Sequence, residues 1–170
     1  ETFSSYADDQ LDFIESEDFV KTQNFWIKQY EDSVPMVSLP TDYPRPTLRT
    51  FKSNQLNVPL DNNLVENLKK VGVQSRASFV VTLMTAFEIF LYYQTYQEDL
   101  VLGLPAAGQS MSGKSQLIGH CVNLLPLRSK ISPKMPFNSY LKHRKEEVFD
   151  AYDYQQFSFG QLLQKLNIAR

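Results

Sequence analysis

Residues 98–128 read EDLVLGLPAAGQSMSGKSQLIGHCVNLLPLR. Two apolar runs within this stretch, 100–104 and 122–127, have strand length and are bounded by turn residues. Continuous apolar runs this short, flanked by Gly and Pro, suit strands buried on both faces. The loop between them is rich in Gly, Ser and Gln. A long polar loop between two buried strands is a natural place to bind a ligand or to gate a site.

Upstream of that pair, Ser75 or Ser78 caps a helix predicted to run to about residue 94. It is apolar nearly all round, so it is expected to be the most buried helix. Before it, Asp61 caps a helix carrying Leu64, Val65, Leu68 and Val71, with Gly72 expected to end it. Residues 50–60 read as a strand, with Leu56, Val58 and Leu60 alternating at its end. Residues 34–49, VPMVSLPTDYPRPTLR, form an extended connector, because Pro35, Pro40, Pro44 and Pro46 remove donors and push their predecessors out of the helical region. Residues 3–31 read as helix broken at the acidic run 15–18, where Ser16 or Asp18 serves as a cap. Phe3, Tyr6, Phe13 and Ile14 precede the break, and Phe25, Trp26 and Tyr30 follow it.

Downstream, Ser132, Pro133 and Pro136 set up a helix start. Phe137, Tyr140, Leu141, Val148 and Tyr152 are expected on one face of that helix. Lys142, Arg144, Lys145, Glu146 and Glu147 are expected on a solvated face. A last short helix carries Phe159, Leu162, Leu163 and Leu166. Helices, a strand, two helices, two strands and two helices make an α/β layer with few strands, a small sheet flanked by helices.

At 170 residues the chain is long enough for one domain with a real core, and 42% hydrophobic with 21% charged residues is the balance of a globular protein. With 12 Phe and 9 Tyr, either the core is aromatic or some of that surface meets a partner. A net charge of −2 without a dense Lys/Arg run argues against nucleic acid as the main ligand. The single Cys121 sits among apolar neighbours and reads as a buried thiol. No signal peptide and no N-x-S/T sequon occur, so a cytoplasmic protein is expected. The most apolar window, 79–93, is shorter than the roughly 20 residues a membrane span needs and reads as a core helix.

Residues 108–115, GQSMSGKS, match the phosphate-cradling pattern G-x-x-x-x-G-K-[ST] and follow a predicted strand. The surrounding chemistry is missing. A helix should begin at Lys114 to turn its amides toward phosphate, yet only 115–118 intervene before Gly119. No downstream apolar strand ends in an Asp for Mg²⁺. Nucleotide binding therefore stands as a remote alternative. His120 and His143 are the only histidines, and no HxxxH, CxxC or HExxH spacing occurs, so no metal site is expected. On a strand, His120 and Cys121 would face opposite ways, which argues against a Cys/His dyad. No catalytic residue is assigned on these grounds.

Four segments in fixed order resemble the condensation domains of nonribosomal peptide synthetases. LPTDYPRP at 39–46 is similar to their LPtDrPRP connector, and ASFVVTLMTAFEIFLYYQTYQEDLVLGLPAAGQ at 77–109 to the stretch ending in GtPvAGR. IGHCVNLLPLR at 118–128 resembles IGxFVNTLxxR closely, and YQQFSFGQL at 154–162 resembles HQDYPFExL in degraded form. Gly119, Asn123, Leu125 and Arg128 hold fixed positions of the third pattern; Gly103, Pro105, Ala107 and Gly108 hold those of the second. Gln109 stands in place of Arg, and Tyr154, Gln156, Ser158 and Gly160 in place of His, Asp, Pro and Glu. Such departures fit a divergent subgroup, such as a polyketide–peptide hybrid line, or a domain that has lost activity.

The resemblance implies a chloramphenicol-acetyltransferase-like lobe of the CoA-dependent acyltransferase superfamily. The family's HHxxxDG motif, whose second His acts on the acceptor amine, is not in this sequence. Residues 1–170 are accordingly expected to be the C-terminal lobe of a condensation domain, without the N-terminal catalytic-His lobe. The implied reaction joins a donor acyl thioester to an acceptor aminoacyl thioester, both on phosphopantetheine arms. The implied partners are the missing N-terminal lobe, peptidyl or acyl carrier proteins and neighbouring synthetase domains. The lobe would form a tunnel wall and the acceptor-side surface. The substrate-side residues expected on this basis are Asn123, His120, Gly119 and Arg128, and Asn123 and Arg128 have a purely structural alternative, satisfying buried backbone groups. The alternative function is a non-catalytic module that docks carrier proteins. A lobe without its counterpart is expected to expose an apolar face and to self-associate.

Overall fold

A computed structural model of the chain describes residues 2–44, 46–48, 50–111 and 116–168, with backbone only at Ser110 and Met111. The two apolar runs are strands β1 (Asp99–Ala107) and β2 (Val122–Lys130). They pair antiparallel, Asp99 opposite Lys130 and Ala107 opposite Val122, which sets opposite charges across the outer end. Leu100 and Leu125 are fully buried, and Leu127 nearly so.

The chain divides into two compact units. The first comprises Glu1–Met36, Asp99–Lys130 and Glu146–Arg170, and so contains the sheet. Its helices α1 (Phe3–Ile14) and α2 (Glu17–Lys28) are separated where expected, and Ser16 caps α2 by accepting from the Phe19 amide at 3.1 Å. Glu17 and Asp18 in the first turn favour the positive end of the helix dipole. Thr22, Trp26 and Tyr30 recur every fourth residue and are buried. Their polar atoms are satisfied across the fold: Trp26 Nε1 donates to the Tyr154 carbonyl (2.7 Å) and Tyr30 Oη to the Pro126 carbonyl (2.6 Å). This ties α2 to the loop after 153 and to β2.

The second unit comprises Val37–Glu98 and Ile131–Lys145. Helix α3 (Asn62–Gln74) starts at Asp61, whose carboxylate accepts from the Leu64 amide at 3.1 Å. The helix runs past Gly72, the end expected from sequence. Gly72 is there for close approach: a Cβ would lie 2.6 Å from Thr82 Oγ1. The left-handed residue after the helix is Arg76, φ 54°, so no glycine marks the stop.

Helix α4 (Phe79–Thr95) is capped by Ser78. It is not buried all round. Val81, Thr82, Thr85, Glu88 and Leu91 form its buried stripe, while Val80, Phe87, Phe90 and Tyr93 are at least half exposed. Apolar composition extends around the helix, but among the described residues only one face is covered. The Thr82 and Thr85 hydroxyls bond back to the carbonyls of Ser78 and Val81, so their burial leaves no donor stranded.

Helix α5 is the short turn Gly108–Met111. Helix α6 (Phe137–Asp153) corrects one expectation: Arg144 is not on the solvated face. Tyr140, Leu141, Arg144, Val148 and Ala151 form one buried stripe at helical spacing. Within the second unit Arg144 Nη2 donates to Glu88 Oε1 (2.8 Å), and Tyr140 Oη donates to Glu88 Oε2 (2.8 Å). Charge alone sends this position to solvent, whereas its spacing places it in the core. Helix α7 (Phe159–Lys165) closes the chain with a capping box of Ser158 and Gln161.

The strand expected over 50–60 does not form. Residues 51–60 have no regular secondary structure, lie outside any ladder among the described residues, and are all exposed. The described part of the connector 34–49 has no regular structure, and its Arg45 and Arg49 lie outside the described residues. Among the described residues no single helix is long and apolar enough to cross a membrane.

Candidate functional site

At the end of the sheet where β1 leaves and β2 begins, the first unit has a cavity of about 190 Å³. Tyr6 and Gln10 of α1, Gly108, His120, Cys121 and Asn123 contribute to its wall. Gln155, Gln156 and Ser158 complete it from the loop before α7.

Gly108 permits the close approach that shapes this end. Its amide donates to the Cys121 carbonyl at 2.8 Å, and a Cβ there would stand 2.7 Å from that oxygen and 3.1 Å from Tyr6 Oη. This accounts for Gly108 without a phosphate. Ser112, Gly113, Lys114 and Ser115 of the phosphate-loop-like pattern lie outside the described residues. Gln109, in place of the family's Arg, reaches from its Nε2 toward the Gly119 carbonyl at 3.5 Å. Gly119 itself is seated under Phe3, and a Cβ would collide with that ring. So α1, which has no buried residue of its own, is located on the loop by Phe3 and Tyr6.

His120 and Cys121 both line the cavity. Strand alternation would set them on opposite faces. They precede Val122, where β2 starts, so that alternation does not apply to them. The Cys121 thiol is free and buried, and the His120 ring is exposed. Among the described lining residues none is acidic.

Asn123 is the organiser of the neighbouring loop. Its Nδ2 donates to the carbonyls of Gln155 (2.7 Å) and Phe157 (2.8 Å). Its Oδ1 accepts from the amides of Leu124 (2.9 Å) and Phe159 (3.2 Å). The whole amide is engaged, and it holds residues 155–159 against the start of β2. Tyr154, at the position of the family's His, stacks on Phe25 with ring centroids 4.3 Å apart.

Arg128 does not line the cavity. It lies on β2 with its side chain 4% exposed. Nε and Nη2 grip the two carboxylate oxygens of Asp99 at 2.9 and 2.6 Å. Nη1 donates to the Gln29 carbonyl (2.6 Å) and to Asp32 (2.5 Å), and Nη2 also to Ser33 Oγ (2.8 Å). The bond from Arg128, with Lys130 also near, holds the Asp32 carboxyl down at about 2. Hydrogen bonding to Asp99, then to Asp32, raises the guanidinium's own affinity for its proton against the opposing effect of burial. A guanidinium this fully engaged fastens the end of α2 to both strands.

Of the four residues expected on the substrate side, His120 and Asn123 are thus brought together. Gly119 stands behind them under Phe3, and Arg128 belongs to a separate ion cluster. Tyr6 and Gln10 were missed. They are one turn apart on α1, but nothing in their spacing says where that helix docks. Among the described residues no group of His, Cys, Asp and Glu is placed to hold a metal ion.

A family model described as Condensation domain matches residues 1–170. Tyrocidine synthase 3 of Brevibacillus parabrevis is 30% identical over 168 residues, 99% of this chain and 3% of that protein. The chain therefore spans a small fraction of the curated relatives it matches. The condensation domain from Monacolin K polyketide synthase MokA superposes with a TM-score of 0.81 at 20% identity, covering 97% of this chain and 40% of that one. The X-domain from teicoplanin biosynthesis superposes with a TM-score of 0.85 at 18% identity, covering 99% and 38%. The fold is the CoA-acyltransferase-like α/β architecture, here a two-stranded sheet flanked by helices.

Proposed function

Because the chain belongs to the condensation-domain family, we propose that residues 1–170 are the C-terminal lobe of an amide-forming condensation domain in a nonribosomal peptide synthetase or a polyketide–peptide hybrid. The observation that carries this reading is the cavity. It gathers Gly108, then His120, Cys121 and Asn123, then Gln155, Gln156 and Ser158, from three of the family-like segments that are far apart in sequence.

In the proposed reaction the acceptor amine attacks the donor thioester carbon. The C–N bond forms, the C–S bond breaks, and the donor thiol leaves with the proton the amine gives up. Both reactants ride on phosphopantetheine arms of carrier proteins. The amide and imidazole side chains of Gln10, Gln156 and His120 suit the amides of such an arm. This lobe positions and does not transfer the proton, since the catalytic His motif belongs to the N-terminal lobe. Asn123 holds the loop that carries Gln156, Gly119 seats α1 over the cavity, and Arg128 acts at a distance by locking β1 and β2 to α2. His120 is the side chain we place in contact with the acceptor arm.

Carrier-to-carrier acyl transfer by the intact domain tests this. His120→Ala is expected to lower kcat/KM by about tenfold or more through lost positioning, with thermal stability unchanged. Unchanged transfer would remove His120 from the site. A second reading, a docking module without chemistry, is favoured by the replacements at Tyr154, Gln156, Ser158 and Gly160. An intact domain that binds loaded carriers yet forms no amide would establish that reading instead.

A further inference from the structure

Gln155 sits in the loop before α7, is 8% exposed, and lines the cavity at the end of the sheet. Its backbone is satisfied: the amide donates to the Tyr152 carbonyl (3.3 Å) and the carbonyl accepts from Asn123 Nδ2 (2.7 Å). The side-chain Nε2 donates to the same Tyr152 carbonyl at 2.9 Å. A carbonyl can only accept, so the nitrogen must face Tyr152 and the oxygen must face away. Among the described residues no donor reaches Oε1. Nor is Oε1 one of the side-chain atoms sealed off from both partner and solvent. Its open side is therefore the cavity.

An oxygen acceptor on a side chain nine-tenths buried, with no donor of its own, calls for a donor from a ligand. The cavity wall says which kind. Its described residues include no Asp, Glu, Lys or Arg, and a charged group taken from water with no counter-charge is strongly penalised. The donor therefore belongs to an uncharged group. On the same wall the side chains of Gln10, Gln156 and His120 offer donors and acceptors that no described residue engages. An amide uses both kinds of site: its N–H goes to Gln155, and its C=O to one of these donors.

We propose that Gln155 Oε1 accepts a hydrogen bond from an amide N–H of the phosphopantetheine arm, and that this bond fixes how deep the arm enters the cavity. This rests on the reading of the cavity as the site of that arm. The acceptor is set in place before the ligand arrives: the Nε2 bond to Tyr152 orients the side-chain amide, and Asn123 holds the Gln155 backbone. Little ordering is then left to be lost on binding.

Titration of the intact domain with pantetheine tests this. Gln155→Leu removes both the oxygen and the bond to Tyr152, whereas Gln155→Glu removes that bond and keeps an oxygen acceptor. Q155L is expected to bind pantetheine about tenfold more weakly than the parent, and Q155E within about threefold of it. Pantetheine methylated at the engaged amide nitrogen should lose about tenfold against the parent and little against Q155L. Equal losses in Q155L and Q155E would make Gln155 a support of the loop only and overturn the proposal. Equal affinity in Q155L and the parent would also overturn it, while leaving the cavity as the site of the arm. A loss confined to aminoacyl-pantetheine would overturn it by assigning the oxygen to the acceptor amine. No binding of pantetheine to the parent would overturn the reading of the cavity and the proposal with it.

Discussion

Replacing Arg144 with methionine should destabilise the protein by about 3 to 4 kcal/mol at pH 7, and by much less at pH 5. Arg144 and Glu88 are 1% and 0% exposed, and their 2.8 Å contact neutralises a carboxylate that water cannot reach. The methionine side chain would keep most of the volume and remove the charge. Glu88 would lose the Arg144 contact and retain the Tyr140 hydroxyl. A buried carboxylate that loses its guanidinium takes up a proton. Keeping it protonated costs about 1.4 kcal/mol for each pH unit above the ordinary carboxylic acid range, hence about 3 to 4 kcal/mol at pH 7 and about 1 kcal/mol at pH 5. Breaking one half of a buried pair costs about 3–5 kcal/mol in general, which agrees. For a chain of this size the loss corresponds to a Tm drop on the order of 10 °C. The sign is fixed: the variant's carboxyl titrates higher when folded than when unfolded, so the penalty grows as pH rises. Urea denaturation at both pH values measures it. Removing both charges, Arg144→Met with Glu88→Leu, should recover most of the loss. An R144M protein within about 1 kcal/mol of the parent at pH 7, or a double variant no better than the single, would refute this account of the pair.

Three further outcomes are expected. Asn123→Ala leaves the carbonyls of Gln155 and Phe157 and the Phe159 amide without their partner, at a cost of about 2–4 kcal/mol. Faster hydrogen exchange confined to 155–160 would register the loosened loop. Asp32→Asn should flatten the acid limb of stability. The folded carboxyl is held down at about 2, so its contribution is present above the ordinary carboxylate range and disappears as pH falls from about 4 toward 2. Denaturation curves across that window should show a steeper decline in the parent than in D32N. Gly119→Val drives a side chain into the Phe3 ring and should lift α1, costing about 1–3 kcal/mol and exposing its amides to exchange. Unaltered exchange in α1 would show that Phe3 does not hold it.

Much of the fold was readable because its cues are local. Ser16, Asp61 and Ser78 each cap a helix by a bond to an amide three residues on, so the starts of α2, α3 and α4 are visible from short spacing. The runs around Leu100 and Leu125 announced the paired strands by their length and bounding turn residues, but burial on both faces was not met in β1, where only Leu100 and Ala106 are buried and Gly103, Pro105 and Ala107 are exposed. The misses have a common cause. Gly72 looks like a helix end because glycine often stops a helix, when the demand on it comes from Thr82 on the next helix. Residues 54–60 satisfy the strand pattern, but a pattern does not form a ladder without a second strand.

By itself, the sequence determined the helix starts, the sheet, the buried thiol of Cys121 and the family-like segments. Each of these rests on neighbours within a few residues or on a pattern of types. Tertiary structure alone decided which polar groups meet. Arg128 finds Asp32 across 96 positions, Arg144 finds Glu88 across 56, and Asn123 gathers backbone groups 32 to 36 positions away. It also decided that Tyr6 and Gln10 share a cavity with His120, and that among the described residues Val80, Phe87, Phe90 and Tyr93 of α4 are at least half exposed. The physical reason is that a charge or amide is satisfied by geometry at about 3 Å, and chain spacing carries no record of which distant partner will arrive there.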